Sequence, residues 1–237
     1  MDKTVPCFIA ALVLVALSDG SAWAAYQQNW DADAGQWQYW VSPGDEPGVE
    51  HHAQGGVADS GHISVNLADV GWQGPLDPPI NYLYWTAYYY NQDSGPGPMD
   101  FTGADVSVYA CGENVELQNG ELYFYLGRFN ADLSQYAQYR TQTPVSIGQG
   151  NWQLNAWTLS TDAADWQRIS GNAFTFADVV SHAGEFGFVI TGVPTGPDPS
   201  GVIKLDEFDT DAVLVPAPAT LGLLAAAGTM AWRRRRP

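Results

Sequence analysis

A run of tyrosines in the middle of the chain has the residue type and spacing of a sugar-binding platform. The segment 81–90 reads Asn-Tyr-Leu-Tyr-Trp-Thr-Ala-Tyr-Tyr-Tyr. In a β-strand alternate side chains share a face, so Tyr82, Tyr84, Tyr88 and Tyr90 are expected on one face. Their rings can stack on sugar rings and their hydroxyls can bond sugar hydroxyls. The alternative is an ordinary strand, in which tyrosine is favoured and packs against a neighbouring loop.

Other catalytic or metal-binding patterns are sparse. Cys111 is the only cysteine after the N-terminal segment and ends an alternating strand, which predicts a buried thiol without a base to activate it. His51, His52 and His62 do not have zinc-site spacing, because adjacent histidines on a strand point apart. A glycosidase site with two catalytic carboxylates stays an alternative, because the distance between the two groups, roughly 5 to 10 Å, is set by the fold.

The charge distribution excludes a nucleic-acid partner. The whole chain has a net charge of −17, with 9 basic and 26 acidic residues. Five of the basic residues lie at the two ends, so only Arg128, Arg140, Arg168 and Lys204 remain between residues 25 and 214. Binding to phosphates needs a clustered cationic surface, which four scattered residues cannot form.

The N-terminal residues have the features of a secretory signal peptide. Lys3 precedes an apolar run of about ten residues, which is too short for the about 20 that span a bilayer. Small residues at Ala22 and Ala24 then form an A-x-A cleavage site. We predict cleavage after Ala24 rather than an uncleaved anchor, a mature chain that begins at Ala25, and export by the Sec machinery and signal peptidase.

The C-terminal segment 215–237 contains three parts in order. A proline-rich hinge comes first, an apolar stretch of about 14 residues follows from Ala219 to Trp232, and a basic cluster ends the chain. Such a basic cluster stops translocation on the cytoplasmic side, and the short apolar stretch spans a bilayer only marginally. The residues of the hinge and cluster are Val215, Pro216, Ala217 and Pro218, then Arg233, Arg234, Arg235 and Arg236.

This three-part segment resembles the PEP-CTERM sorting signal of Gram-negative bacteria in its Val-Pro-x-Pro-Ala form. The resemblance implies a transient stop in the inner membrane, cutting near the hinge by an exosortase-type protease, and a final place at the cell surface or outside the cell. Ala217 stands where the commonest form has Glu, which leaves the protease subtype open. The alternative is a plain C-terminal anchor, and both place residues 25–214 outside the cytoplasm.

Residues 25–214, between the signal peptide 1–24 and the sorting segment 215–237, read as one all-β domain. Short alternating segments separated by turn residues predict a β-sandwich with one short helix after Thr175. The clearest pattern predicts a hairpin from Val115 to Leu126, with a type I′ turn at Asn119-Gly120. Alternation within it puts Tyr123 and Tyr125 on the face away from the core. The last two segments are predicted to pair with each other. The main strand segments are 62–67, 104–110, 152–159, 186–192 and 201–208.

The order of these segments resembles laminin-B-like and galactose-binding-like jelly rolls. Asn29-Trp30-Asp31, Gly35-Gln36-Trp37 and the terminal segment 205–208 match positions in that pattern. The resemblance implies a jelly-roll fold, and a structural calcium where the first and last strands meet. The acidic residues at those positions are Asp31, Asp206 and Glu207; the alternative is plain surface acidity.

Two functions follow from these observations. The first is a non-enzymatic exported protein of the extracellular polysaccharide layer, because proteins with PEP-CTERM signals typically accompany exopolysaccharide production in biofilm-forming bacteria. The second is a secreted β-sandwich glycosidase or polysaccharide lyase. An enzyme requires a cleft with two facing carboxylates, whereas a binding module requires a shallow aromatic face.

Overall fold

The computed structural model describes residues 26–35, 37–41, 49–69, 83–88, 98–130, 134–193 and 198–215. This part of the chain is mostly β-sheet with one short α-helix. The strands are β1 (Tyr26–Gln28), β2 (Trp37–Val41), β3 (Glu50–His52), β4 (His62–Asn66), β5 (Leu83–Tyr88), β6 (Met99–Asp100), β7 (Asp105–Glu116), β8 (Glu121–Phe129), β9 (Tyr136–Thr141), β10 (Gly148–Gln149), β11 (Gln153–Thr158), β12 (Trp166–Gly171), β13 (Glu185–Thr191), β14 (Ser200–Thr210) and β15 (Val213–Leu214).

Two large sheets form the body of the described fold. The six-stranded sheet has the order β12-β9-β8-β13-β5-β2. The seven-stranded sheet has the order β10-β7-β14-β4-β3, with β1 paired to β14 and β11 paired to β7. Successive strands cross repeatedly between the sheets, for example from β7 to β8, from β11 to β12 and from β13 to β14. This two-sheet arrangement confirms the predicted sandwich and agrees with a jelly roll.

An aromatic layer fills the space between the sheets. Phe208 of β14 lies 5.3 Å from Trp37, 5.5 Å from Phe186 and 6.0 Å from Phe188, measured between ring centroids. Phe124 of β8 lies 6.3 Å from Phe208 and 5.8 Å from Phe188. All five rings are almost wholly buried. Edge-to-face and offset contacts of this kind add about 0.5–1.5 kcal/mol per pair beyond area burial.

The helix α1 (Phe176–Ser181) begins as the sequence predicts. The Thr175 hydroxyl accepts a hydrogen bond from the Asp178 backbone N–H, and the Asp178 carboxylate accepts one from the Thr175 N–H at 3.0 Å. This reciprocal capping box satisfies backbone donors that the first turn leaves free. Phe176, Val179 and Val180 form its buried side.

The predicted hairpin from Val115 to Leu126 is wrong. The two strands belong to different sheets: β7 pairs with β10, β11 and β14, whereas β8 pairs with β9 and β13. The positive φ angles lie at Gln118 (54°) and Asn119 (76°), one residue earlier than predicted. The Gly120 N–H donates to the Leu117 carbonyl at 2.8 Å and closes the turn. The chain therefore crosses from one sheet to the other here.

The predicted pairing of the last two strands is also wrong. β13 lies between β5 and β8 in the six-stranded sheet, and β14 lies between β4 and β7 in the other. Alternation in the sequence identifies the apolar face of each strand but not its neighbour. Both strands bury that face in the shared core, Phe186 and Phe188 from one side and Ile203 and Leu205 from the other.

We expect Gly120→Ala to lower stability by about 1–3 kcal/mol, because an added Cβ overpacks this crossing. The new atom would lie 2.7 Å from Val193 Cγ2 and 2.9 Å from the Leu117 carbonyl oxygen. Gly184→Ala is the matched control, because its Cβ meets no atom within 4 Å. Urea unfolding measures both; equal stabilities for the two variants would contradict the described crossing.

Candidate functional site

The outer face of the six-stranded sheet carries a set of planar side chains. Leu122, Phe124 and Leu126 of β8 face the core, so the alternate residues of that strand lie on the opposite face. Strand register then defines three rows across the sheet, which together we call the outer sheet face. The rows are Tyr84–Val189–Tyr123, Thr86–Gly187–Tyr125–Arg140–Gln167, and Tyr88–Glu185–Gly127–Gln138–Ser170.

The floor of the outer sheet face is a second apolar cluster. Tyr123, Tyr125 and Val189 are buried together, and Ile169 of β12 packs against them. The Tyr123 hydroxyl donates a hydrogen bond to the Glu121 carboxylate. Burial, and then the bond to Glu121, raises the pKa of Tyr123, so its hydroxyl stays protonated. The aromatic rings are thus held in fixed positions beneath the polar groups of the face.

Arg140 lies over this floor. Its Cζ atom is 3.5 Å from the centroid of the Tyr123 ring, a cation–π arrangement. Nη1 donates to the Thr141 carbonyl at 2.8 Å, and Nη2 donates to the Gln167 side-chain oxygen. Nε is buried and has no hydrogen-bond partner. The guanidinium is therefore fixed in position with one donor unsatisfied.

Glu185 is the buried carboxyl group of the same face. It is only 3% exposed and accepts a hydrogen bond from Gln138 Nε2 at 2.5 Å. It occupies the space above Gly127, where an added Cβ would lie 2.4 Å from Glu185 Oε1. Burial raises its pKa from 4.5 to about 7, against the opposing hydrogen bonds from Gln138 and Tyr125. A carboxyl group that titrates near neutral pH is common at functional sites.

The predicted tyrosine platform coincides in part with this face. Tyr84 and Tyr88 lie in β5, where register pairs them with Val189 and Glu185. Tyr82 and Tyr90 lie outside the described residues, as do the side chains of β5. Sequence reasoning placed Tyr123 and Tyr125 on an outer face, as observed. It missed Arg140, Gln138, Gln167 and Glu185, although polar residues two apart at 138 and 140 were a local signal.

The three acidic residues predicted to bind calcium are brought together where β14 meets the N-terminal loop. Asp206 is fully buried; its Oδ2 accepts hydrogen bonds at 2.6 Å from both the Val57 N–H and the Ser60 hydroxyl. Burial raises the pKa of Asp206, with a further contribution from Asp31. Burial also raises the pKa of Glu207, followed by the charges of Asp206 and Asp31. The charges of the three carboxylates therefore repel one another.

The donors at this junction are mainly protein N–H and O–H groups. Asp31 Oδ1 accepts from the Gly61 N–H at 2.9 Å, and Asp206 Oδ1 accepts from the Glu207 N–H at 2.7 Å. Within the described ranges, no three His, Cys, Asp or Glu side chains are arranged as metal ligands. The three carboxylates alone do not form a ligand set, so a calcium ion here would need further oxygen ligands. Calcium binding stays a prediction.

The histidines form a stacked pair rather than a chelating one. The rings of His52 and His62 are 4.5 Å apart and inclined by only 13°. The lone pairs of a histidine ring lie in the plane of the ring, and these two planes are nearly parallel and separate. One zinc ion cannot lie in both planes, so a zinc site on this pair is excluded. Burial, then the charges of His52 and Lys204, lowers the pKa of His62 to about 4. Cys111 is buried as predicted, and burial raises the pKa of its thiol.

A groove of about 480 Å³ lies between β11 and the loop that follows β9. Several of its polar groups are bonded to one another: Asn155 Nδ2 donates to the Ser146 carbonyl at 2.9 Å, and Trp166 Nε1 donates to the Ser160 carbonyl at 2.9 Å. Trp157 Nε1 is the exception among the described lining residues, since it is buried without a partner. Gln142 donates to the Ala164 carbonyl. A ligand here would have to replace bonds that the protein already makes. The groove is therefore a weaker candidate than the outer sheet face.

The predicted targeting residues lie almost entirely outside the described ranges. Ala22, Ala24, Ala25, Pro216, Ala217, Pro218 and Arg233 to Arg236 belong to this group. Val215 is described, and its N–H donates to the Pro98 carbonyl at 2.8 Å. None of the helices within the described ranges has the length and apolar character needed to cross a bilayer. The predicted membrane segment 219–232 is not among those residues.

Comparison with known proteins gives only distant matches. No protein-family model and no curated protein sequence matches this chain. Among solved structures, the L4b domain of human laminin alpha-2 aligns over 82% of this chain and 99% of its own length, with a TM-score of 0.48 and 10% identity. The xylan-binding CBM22-1 domain of Paenibacillus barcinonensis Xyn10C aligns over 81% and 97%, with a TM-score of 0.41 and 10% identity.

A third match is the family 11 carbohydrate-binding module of a cellulosomal cellulase from Clostridium thermocellum. It aligns over 81% of this chain and 97% of its own length, with a TM-score of 0.43 and 8% identity. Similarity at this level carries no argument about ligand or activity. The assignment of the candidate site therefore depends on the geometry of the outer sheet face.

We expect Glu185→Gln to remove part of the pH dependence of stability. The carboxyl group of Glu185 has a higher pKa when folded than its ordinary value of 4.5, so folding favours the protonated form. The contribution of Glu185 to the free energy of unfolding is greatest below pH 4.5, decreases as the pH rises to about 7, and is constant above that. The amide cannot ionise and still accepts from Gln138, so the variant should be more stable at pH 8, by on the order of 3 kcal/mol.

Urea unfolding at pH 4.5, 6 and 8 tests this expectation, with Glu116→Gln as the control at an exposed position on β7. Parallel stability profiles for wild type and Glu185→Gln would contradict the described burial of Glu185.

Proposed function

We propose that this protein is an exported, non-catalytic β-sandwich module that binds carbohydrate on the outer sheet face. The observation that carries the proposal is the set of planar polar groups fixed over a buried tyrosine floor. Arg140, Gln138 and Gln167 are held there by bonds to neighbouring groups, and Tyr84 and Tyr88 lie in the same register rows. Sugars present many hydroxyls, which planar polar groups recognise, and the buried rings of Tyr123 and Tyr125 support those groups from below.

Pre-positioned polar groups favour binding because they reduce the entropy lost when a ligand is fixed. Arg140 is stacked on Tyr123 and bonded to Gln167, so its rotamers are restricted before any ligand arrives. The side chain of Gln138 is restrained too, because it donates a hydrogen bond to Glu185. Ordering a free polar side chain at an interface costs roughly 0.5–1.5 kcal/mol, and much of that cost is met here during folding.

The separation of the carboxyl groups favours binding over hydrolysis. Glu121 and Glu185 are the acidic residues described on this face, and register pairs Glu185 with Gly127 and Glu121 with Thr191. The six residue steps from one register position to the other span roughly 20 Å at about 3.3 Å per step. Retaining and inverting glycosidases hold their two carboxyl groups about 5 to 9.5 Å apart. The glycosidase or lyase alternative therefore has less support on this face.

The targeting signals supply the cellular part of the proposal. A signal peptide cut before Ala25 and a PEP-CTERM-like tail at 215–237 are consistent with export through the inner membrane of a Gram-negative bacterium. An exosortase-type protease would then release or transfer the domain to the cell surface or the surrounding matrix. The ligand would be a polysaccharide of that matrix.

We expect the full chain to bind matrix polysaccharides through the outer sheet face. Gln167→Ala should weaken binding, because Gln167 is exposed and accepts the hydrogen bond that holds Arg140. The matched control is Gln153→Ala, at an exposed position in β11 of the other sheet. A glycan array followed by calorimetry is the measurement, with a loss of about 3- to 10-fold expected for Gln167→Ala.

Two outcomes would contradict this assignment. Equal losses for Gln153→Ala and Gln167→Ala would place the ligand elsewhere. Absence of binding to every glycan on the array would remove the proposed function itself.

We expect replacement of Arg233 to Arg236 by Gln to weaken retention in the inner membrane. Moving an arginine through a bilayer costs roughly 2.5–3.5 kcal/mol on insertion scales, so four arginines stop translocation strongly. Cell fractionation and intact mass measure where the chain resides and whether it begins at Ala25. Deletion of 215–237 should give a domain that is not membrane-bound. Retention and cutting of the four-Gln variant as in wild type would contradict the sorting-signal proposal.

A further inference from the structure

Arg140 has no acidic partner in the described part of the chain, although the protein is strongly acidic. The chain carries 26 acidic residues against 9 basic ones. Among the described residues Lys204 forms an ion pair with Glu113, and His52 Nε2 lies 3.7 Å from the Glu50 carboxylate. The acceptors bonded to Arg140 are instead a backbone carbonyl and an amide oxygen, both neutral.

The surroundings of Arg140 restrain the guanidinium without neutralising it. Its register neighbours on the adjacent strands are Tyr125 and Gln167, which carry no charge at neutral pH. The ring of Tyr123 supports the cation from below. Arg140 is only half-buried, and its two hydrogen bonds use one N–H each of Nη1 and Nη2, which leaves one N–H on each terminal nitrogen for a ligand.

We propose that the ligand of the outer sheet face carries an oxyanion substituent, the carboxylate of a uronic acid or a sulfate ester, and that Arg140 binds it. This inference rests on the proposed function, because it names the class of carbohydrate. Arg140 is then the specificity-determining residue. Arginine suits this task, since its planar donors match the oxygens of carboxylate and sulfate groups and it stays charged at all working pH values.

The acidic groups of the same face do not prevent this contact. The Glu121 carboxylate accepts a hydrogen bond from the Tyr123 hydroxyl and forms no ion pair with Arg140. Glu185 is buried, and its raised pKa keeps a large fraction of it uncharged near neutral pH. The rest of the acidic surface acts at longer range, and at 0.15 M salt such interactions are screened over about 8 Å. A local contact between a guanidinium and an oxyanion can therefore dominate.

Matched pairs of glycans test the inference. The panel contains oligogalacturonate, oligoalginate and glucuronoxylan fragments, each beside its methyl ester, together with a sulfated galactan fragment beside its desulfated form. Calorimetry with the full chain, in a detergent without a sugar headgroup and at 0.15 M salt, measures each pair. We expect the anionic member of at least one pair to bind roughly 10- to 100-fold more tightly, the range of one charge-assisted hydrogen bond.

Charge variants separate a local contact from the overall charge. Arg140→Gln should reduce the preference for the anionic member to about twofold or less. Arg168→Gln removes the same charge from the adjacent strand β12, at an exposed position, and should leave the preference unchanged. Melting curves show whether Arg140→Gln is folded. If it is not, Arg140→Lys keeps the charge but loses the planar donors, and should give an intermediate preference.

The outcomes distinguish the inference from the proposed function. Preference for uronates alone or for the sulfated galactan alone identifies which oxyanion is bound. Equal binding of charged and neutral members, or an unchanged preference in folded Arg140→Gln, overturns the inference and leaves carbohydrate binding standing. Failure to bind any member of any pair counts against both.

Discussion

Phe208 lies at the meeting point of the two sheets, where the rings of Tyr26, Trp37, Phe124, Phe186 and Phe188 surround it. Each sheet is stable only if its apolar face is buried, and this aromatic layer buries both faces at once. Because β14 supplies Phe208 while β8 and β13 supply Phe124, Phe186 and Phe188, the layer fixes how the sheets pack. The chain must therefore cross between them at the Leu117–Gly120 turn.

The packing of the aromatic layer also determines which residues lie on the outer sheet face. With Phe124 and Leu126 in the core, Tyr123 and Tyr125 must lie on the other side of β8. A sheet that covered its core on one side only would normally bear solvated charges there. This sheet instead bears a second buried cluster with Arg140 and Glu185 around it. Such an arrangement stabilises the fold less than a wholly apolar cluster would, which favours a role in recognition.

The few cations of the domain are used in different ways. Lys204 is paired with Glu113 on the seven-stranded sheet, and Arg128 donates to the Asp178 carbonyl and lies over the Phe174 ring. Arg140 is likewise held over an aromatic ring by neutral acceptors, but it lies on the candidate face. In a chain with a net charge of −17, Arg140 places a positive group on a face that also carries the carboxyl groups of Glu121 and Glu185.

The sequence by itself determined the features that depend on near neighbours: the alternation that defines each strand, the capping box at Thr175, the buried Cys111 and the outward position of Tyr123 and Tyr125. The tertiary structure alone decided which strands pair. β7 and β8 are adjacent in the chain yet lie in different sheets. Gln138 meets Glu185 across 47 positions in sequence. Alternation is set within a few residues, whereas a strand's neighbours are chosen by burying every apolar face together, which is a property of the whole chain.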